Sequence, residues 1–153
     1  MGVFMGYENL TKGRVSESGR AYSLTMVTED RIPHFEDFEL ARFLINKMRV
    51  LHNSGQLESL AWVLMPDHLH WLIVIKETDL SEVMRVFKGN SSHAIKKMLN
   101  WQGTFWQRGF HDHAIRHDED LKKMAKYIVA NPLRAGLVES IADYPHWDAK
   151  WLL

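Results

Sequence analysis

The chain has no cysteine among its 153 residues, which excludes a disulfide framework, a thiolate metal site and a cysteine nucleophile. Any bound metal must therefore rest on imidazole, carboxylate or amide groups, and the composition suits a reducing, cytoplasmic setting. Net charge is also lacking. The 19 Lys and Arg offset 19 Asp and Glu, so the chain lacks the basic excess that a nonspecific nucleic-acid binder usually shows, which disfavours that class slightly. Uninterrupted apolar runs such as Trp71 to Ile75 fall far below the roughly 18–20 residues of a membrane span. The N-terminus has no basic-then-apolar signal pattern, and no Gly-x-x-x-x-Gly-Lys phosphate loop occurs.

What is present suits one globular domain over residues 1–153, 46% hydrophobic and 25% charged, large enough to bury about 68–70% of its unfolded surface. The charges are unevenly spread. Residues 29–39 are acidic, whereas Val83 to Gly109 holds Arg85, Lys88, Lys96, Lys97 and Arg108 with no Asp or Glu, interleaved with Phe87, Trp101, Phe105 and Trp106. Basic residues among aromatics can track phosphates and stack bases; they can equally form a solvated helix face over core rings.

Residues 1–20, rich in Gly and Ser, read as an irregular arm carrying Lys12, Arg14 and Arg20. Ala21 to Thr28 is β-rich. From Glu36 to His52 the apolar positions Phe38, Ala41, Leu44, Ile45, Met48 and Leu51 repeat at helical spacing until Asn53-Ser-Gly55. Leu57 to Met65 and His68 to Ile75 form two apolar strands joined by Pro66-Asp67, an antiparallel hairpin. Leu80 to Leu99 is a second helix, capped near Asp79 or Ser81 and open to interruption at Gly89-Asn90-Ser91-Ser92. Thr104 to Arg116 reads as a fourth strand, Asp118 to Ala130 as a short helix and residues 140–153 as a tail. This order predicts an α+β fold: a ferredoxin-like β-α-β-β-α-β sheet with an additional C-terminal helix that carries Tyr127.

With a strand period of two, His68, His70, Leu72 and Val74 share one face and Leu69, Trp71, Ile73 and Ile75 the other. The second face is wholly apolar and calls for a cover of helices. The first begins polar, as at a site opening at a strand end. Two neutral imidazoles on one face can hold a divalent cation with a third ligand, though a structural histidine pair has the same pattern. In the last helix Tyr127 and Asn131 are four residues apart and point the same way. Pro132 disfavours helical geometry at Asn131, leaving its amide at the helix end. Lys123, four residues before Tyr127, would favour a phenolate or bind a phosphate.

Taken together, several blocks resemble the single-tyrosine HUH transposases, and among them the REP-associated tyrosine transposases. They are Met65-Pro-Asp-His-Leu-His-Trp-Leu72, Phe105-Trp-Gln-Arg-Gly-Phe-His-Asp-His-Ala-Ile-Arg116, Asp118-Glu-Asp-Leu121, and Tyr127-Ile-Val-Ala-Asn-Pro-Leu-Arg-Ala-Gly-Leu-Val138. Arg14 to Tyr22 resembles that branch's entry into the first strand. The resemblance implies that His68 and His70 bind Mg²⁺ or Mn²⁺, and that Asn131, where relatives carry Gln or Asn, is the third ligand. It also implies that Tyr127 attacks a phosphate of single-stranded, hairpin-forming DNA to give a 5′-phosphotyrosine. The expected partner is DNA, bound by a monomer or a homodimer, with Lys12, Arg14, Arg20, Arg85, Lys88, Lys96, Lys97, Arg108 and Lys123 as DNA-binding residues. Two other readings fit the residues alone. One is a metal-dependent phosphohydrolase that adds the second His-x-His pair, His111 and His113; the other is a non-catalytic ferredoxin-like nucleic-acid-binding module.

Overall fold

The computed structural model describes residues 19–116 and 121–151. Its order is strand β1 (Ala21–Val27), helix α1 (Phe38–Asn53), β2 (Leu57–Met65), β3 (His68–Ile75), α2 (Leu80–Leu99), β4 (His111–Ala114), α3 (Leu121–Val129), the single turn α4 (Asn131–Arg134) and β5 (Trp147–Ala149). Asp37 starts α1 by accepting a hydrogen bond from the Leu40 amide at 3.2 Å, two residues later than the periodicity suggested, because His34–Glu36 forms a separate 3-10 turn. Asp79 starts α2 in the same way, through the Glu82 amide.

All five strands pair antiparallel in the order β4-β1-β3-β2-β5. The first four have the ferredoxin-like arrangement, with β1 and β3 at the centre. Pro66-Asp67 closes the β2–β3 hairpin in the register that sets Met65 opposite His68 and Val63 opposite His70. One sheet face, with Leu24, Met26, Leu69, Trp71 and Ile73, is buried under α1 and α2. Fully buried Trp71 donates its indole N–H to Ser59 Oγ at 2.8 Å, so the large ring enters the core with its donor satisfied. On the opposite face Ala61, Val63 and Leu72 pack against Ala125 and Ile128 of α3. The histidine side of β3 is thus the side that α3 crosses.

Four local expectations differ. The fourth strand shrinks from Thr104–Arg116 to His111–Ala114, because Phe105, Trp106 and Phe110 turn into the core and leave the sheet only a Thr28–Trp106 bridge. Helix α2 runs unbroken through Gly89-Asn90-Ser91-Ser92. Buried Ser91 donates to the Lys88 carbonyl and accepts the Trp106 indole N–H at 3.1 Å, so the small residues seat a ring rather than end a helix. The tail supplies an edge strand, β5, beside β2. Pro132 does separate α3 from α4, but the chain resumes helical turns at Asn131. No helix among the described residues is long and apolar enough to cross a membrane.

Candidate active site

His68 opens β3 with its ring tied on both sides. Its Nδ1 lies 2.8 Å from Asp67 Oδ1, and the other oxygen of that carboxylate accepts from Arg31 at 2.9 Å. Burial alone would raise the Asp67 pKa, but hydrogen bonds from His68 and Arg31, with their charges, outweigh it and hold the carboxyl below its usual value. An ionised carboxylate only accepts, so Nδ1 of His68 carries the hydrogen and Nε2 keeps its lone pair. That lone pair meets Asn131, whose Nδ2 stands 3.2 Å away and donates to it.

His70 lies two residues along the same face, its Nε2 2.9 Å from the Ser23 hydroxyl. Burial above all, with the neighbouring His68 and Arg134 acting in the same direction, pushes its imidazole down to about 4. It is neutral at physiological pH, the form in which imidazole ligates a metal. The imidazoles of His68 and His70, with an amide able to turn its oxygen inward, fit a hard divalent cation with positions left for water and phosphate oxygens.

The three described tyrosines differ sharply. Tyr22 is 5% exposed in the core. Tyr144 donates its hydroxyl to the Leu64 carbonyl at 2.6 Å, and burial with the nearby Asp67 charge pushes its phenol up to about 12. Tyr127 is 46% exposed, on the helix that leads into Asn131, and Arg134 lies over its ring at 3.9 Å from the centroid. One helical turn separates Tyr127 from the amide that meets His68, a spacing suited to a nucleophile beside a metal.

The second pair does not join this centre. His111 stands opposite Thr25 in β1, which stands opposite His70 in β3, so one strand intervenes and the two histidines are about 9–10 Å apart. No group of three or more His, Cys, Asp or Glu among the described residues could hold a metal ion. Beside His68 and His70, the Asn131 amide is the polar group that reaches the His68 ring, at 3.2 Å.

The basic residues divide by layer. Lys123 is exposed on α3, on the histidine side of the sheet, and Arg108 is exposed on the loop that Gln107 anchors to the Val27 carbonyl at 2.7 Å. Lys96 and Lys97 lie in the last turn of α2, behind the sheet. Arg85 pairs with Glu82 at 2.6 Å. Lys88 donates to the Gln107 carbonyl at 2.7 Å and to that of Gly109, and burial pushes its ammonium down to about 8. Its charge pins the loop before β4 rather than facing the histidines. Arg20 stands at the far end of β1, where its carbonyl accepts from the Ile75 amide. Lys12 and Arg14 lie outside the described residues.

Asp67, Ser23 and Arg134 were not singled out from sequence. Asp67 could have been, since it directly precedes a candidate ligand; Arg134, seven residues or two helical turns after Tyr127, is also recoverable from spacing. Ser23 depends on strand register and carries no local signal.

Comparison with known proteins gives consistent matches. Residues 16–131 match the family model described as "Transposase IS200 like". A REP-associated tyrosine transposase of Escherichia coli K12 is 31% identical over 110 residues, covering 71% of this chain and 62% of the relative, so the chain matches less than two thirds of that protein's length. A second, from Haemophilus influenzae Rd and described as a putative REP-associated tyrosine transposase, is 28% identical over 144 residues, covering 84% and 78%. The structure of a REP-associated tyrosine transposase bound to a REP hairpin superimposes with a TM-score of 0.71 at 26% identity, over 88% of this chain and 79% of that one. A putative transposase from Deinococcus radiodurans R1 shares the fold, with a TM-score of 0.55 at 21% identity over 79% and 96%.

Proposed function

The chain belongs to the IS200-like transposase family, and from that premise we propose that it nicks and rejoins single-stranded DNA beside palindromic hairpins through a tyrosine-linked intermediate. The observation that carries the reading is the placement of exposed Tyr127 one helical turn before Asn131, whose amide touches His68.

In the proposed reaction the Tyr127 phenol oxygen attacks the scissile phosphorus and the bond to the 3′ oxygen breaks. The phenol proton passes to solvent, the departing oxygen gains a proton as a 3′-hydroxyl, and the 5′-phosphate remains on Tyr127. A phosphodiester replaces a phosphodiester, so a 3′-hydroxyl can reverse the step without ATP. The resemblance implies Mg²⁺ or Mn²⁺, which, held by His68, His70 and Asn131, would polarise the phosphate and stabilise charge on the leaving oxygen. His68 is oriented for this by Asp67, and His70 is kept neutral by burial. Lys123 and Arg108 would neutralise flanking phosphates. The protein would act in the cytoplasm, as a monomer or a homodimer.

The test is incubation with labelled single-stranded DNA bearing a hairpin and an unpaired flank, with Mg²⁺, Mn²⁺ or chelator. A denaturation-resistant protein–DNA adduct with a free 3′-hydroxyl product, lost with chelator, is expected. Release of free 5′-phosphate without an adduct would indicate a hydrolase, and metal-indifferent binding without cleavage a binding module.

A further inference from the structure

Tyr127 and Arg134 touch twice. The guanidinium carbon lies 3.9 Å from the phenol ring centroid, and Nη1 of the same side chain donates to the Tyr127 backbone carbonyl at 2.7 Å. Side chains on a helix tilt toward its N-terminus, so an arginine two turns on can fold back over the ring. The turn that carries it begins at Asn131 and contains Pro132. Asn131 is in turn anchored to His68. The arginine is therefore mounted on the element that joins the helix to the histidines.

An exposed tyrosine ordinarily samples several rotamers on the nanosecond scale. A nucleophile performs only in those that aim its oxygen at phosphorus, and a misplacement of about 1 Å can cost 10²-fold in rate. A planar guanidinium held by a carbonyl and laid on a ring restricts that motion, which an ammonium on a flexible stem does less well. The carbonyl that accepts from Arg134 belongs to the residue whose ring it covers, so both contacts act on Tyr127.

We propose that Arg134 is a positioning residue for Tyr127, locking the ring in its attacking orientation through the paired stacking and carbonyl interactions. The inference rests on Tyr127 being the nucleophile. Because the phenol attacks in cleavage and leaves in rejoining, Arg134 acts on both directions alike and leaves their ratio unchanged.

Single-turnover adduct formation and rejoining at saturating hairpin DNA, with separate Kd measurements, test this in wild type, Arg134→Ala and Arg134→Lys. Expected for Arg134→Ala is a loss of roughly 10²-fold in both rates with a change of at most about threefold in Kd. Arg134→Lys should be intermediate, and millimolar guanidinium should restore part of the Arg134→Ala rate without affecting wild type. An unchanged rate in Arg134→Ala, a loss confined to Kd, or a lowered Tm with no rescue by guanidinium would each overturn the proposal. If wild type forms no adduct, the nuclease reading fails and the positioning role with it. If wild type forms one and Arg134→Ala matches it, only the positioning role fails.

Discussion

The amide of Asn131 meets Nε2 of His68 at 3.2 Å although 63 residues of sequence separate them. That hydrogen bond ties the turn that follows the tyrosine helix to the start of β3, so the helix that carries the candidate nucleophile is fastened beside the candidate metal ligands. Asn131→Ala should leave Tyr127 in place while removing a ligand. Cleavage should slow and require about 10–100-fold more Mn²⁺. Titration of the rate with Mn²⁺ checks this, and an unchanged metal requirement would remove Asn131 from the ligand set.

Asp67 should matter through His68. In Asp67→Asn the ring loses its charged acceptor, and the tautomer that presents Nε2 is no longer fixed. We expect Mn²⁺ affinity, measured calorimetrically, to fall about 10–100-fold. Arg31→Ala should have a small effect, because the arginine side chain is 61% exposed and such pairs contribute about 0–1 kcal/mol. Equal losses in the two variants would contradict this ordering.

Salt dependence should separate the two layers of basic residues. Removing charge at Lys123 or Arg108 should weaken hairpin binding and flatten the dependence of log Kd on log salt by about one unit for each phosphate that is no longer neutralised. The same change at Lys96 or Lys97, behind the sheet, should flatten it less. A larger effect at Lys96 and Lys97 would mean that the DNA wraps around to the helix layer.

Tyr144 gives a stability test in alkali. Its folded pKa of about 12 lies above the unfolded value near 10. The protonated hydroxyl therefore stabilises the fold fully below about pH 10, and that stabilisation is lost as pH rises toward about 12. Near pH 8, Tyr144→Phe should be less stable by about 1 kcal/mol through loss of the Leu64 hydrogen bond. Denaturant unfolding of both proteins between pH 8 and 11 should show the gap narrowing; a gap that widens would contradict the sign.

Much of this architecture can be read from the sequence because it rests on local periodicity. The alternation around His68 and His70 correctly assigns both sheet faces, and the helical spacing around Tyr127 correctly puts it in a helix that ends before Pro132. The segment from Thr104 to Phe110 misled because its aromatics look like strand residues, whereas Ser91 and Lys88 on a distant helix hold it as a loop. The edge strand at Trp147 has too few residues for a period. Composition likewise cannot distinguish a lysine that meets DNA from Lys88, whose ammonium is taken up by two carbonyls. The bond from Ser23 to His70 exists only through the register of β1 on β3.

The decisive measurement is to isolate the covalent DNA adduct and locate its attachment by mass spectrometry, in wild type and in Tyr127→Phe. The substitution removes one hydroxyl and leaves ring and helix in place, so hairpin and metal binding should persist. Wild type should carry a 5′-phosphate on Tyr127, and Tyr127→Phe should form no adduct and cleave nothing. An adduct that survives the substitution, carries a 3′-phosphate, or maps to Tyr7, Tyr22 or Tyr144 would contradict the assignment of Tyr127 as the nucleophile.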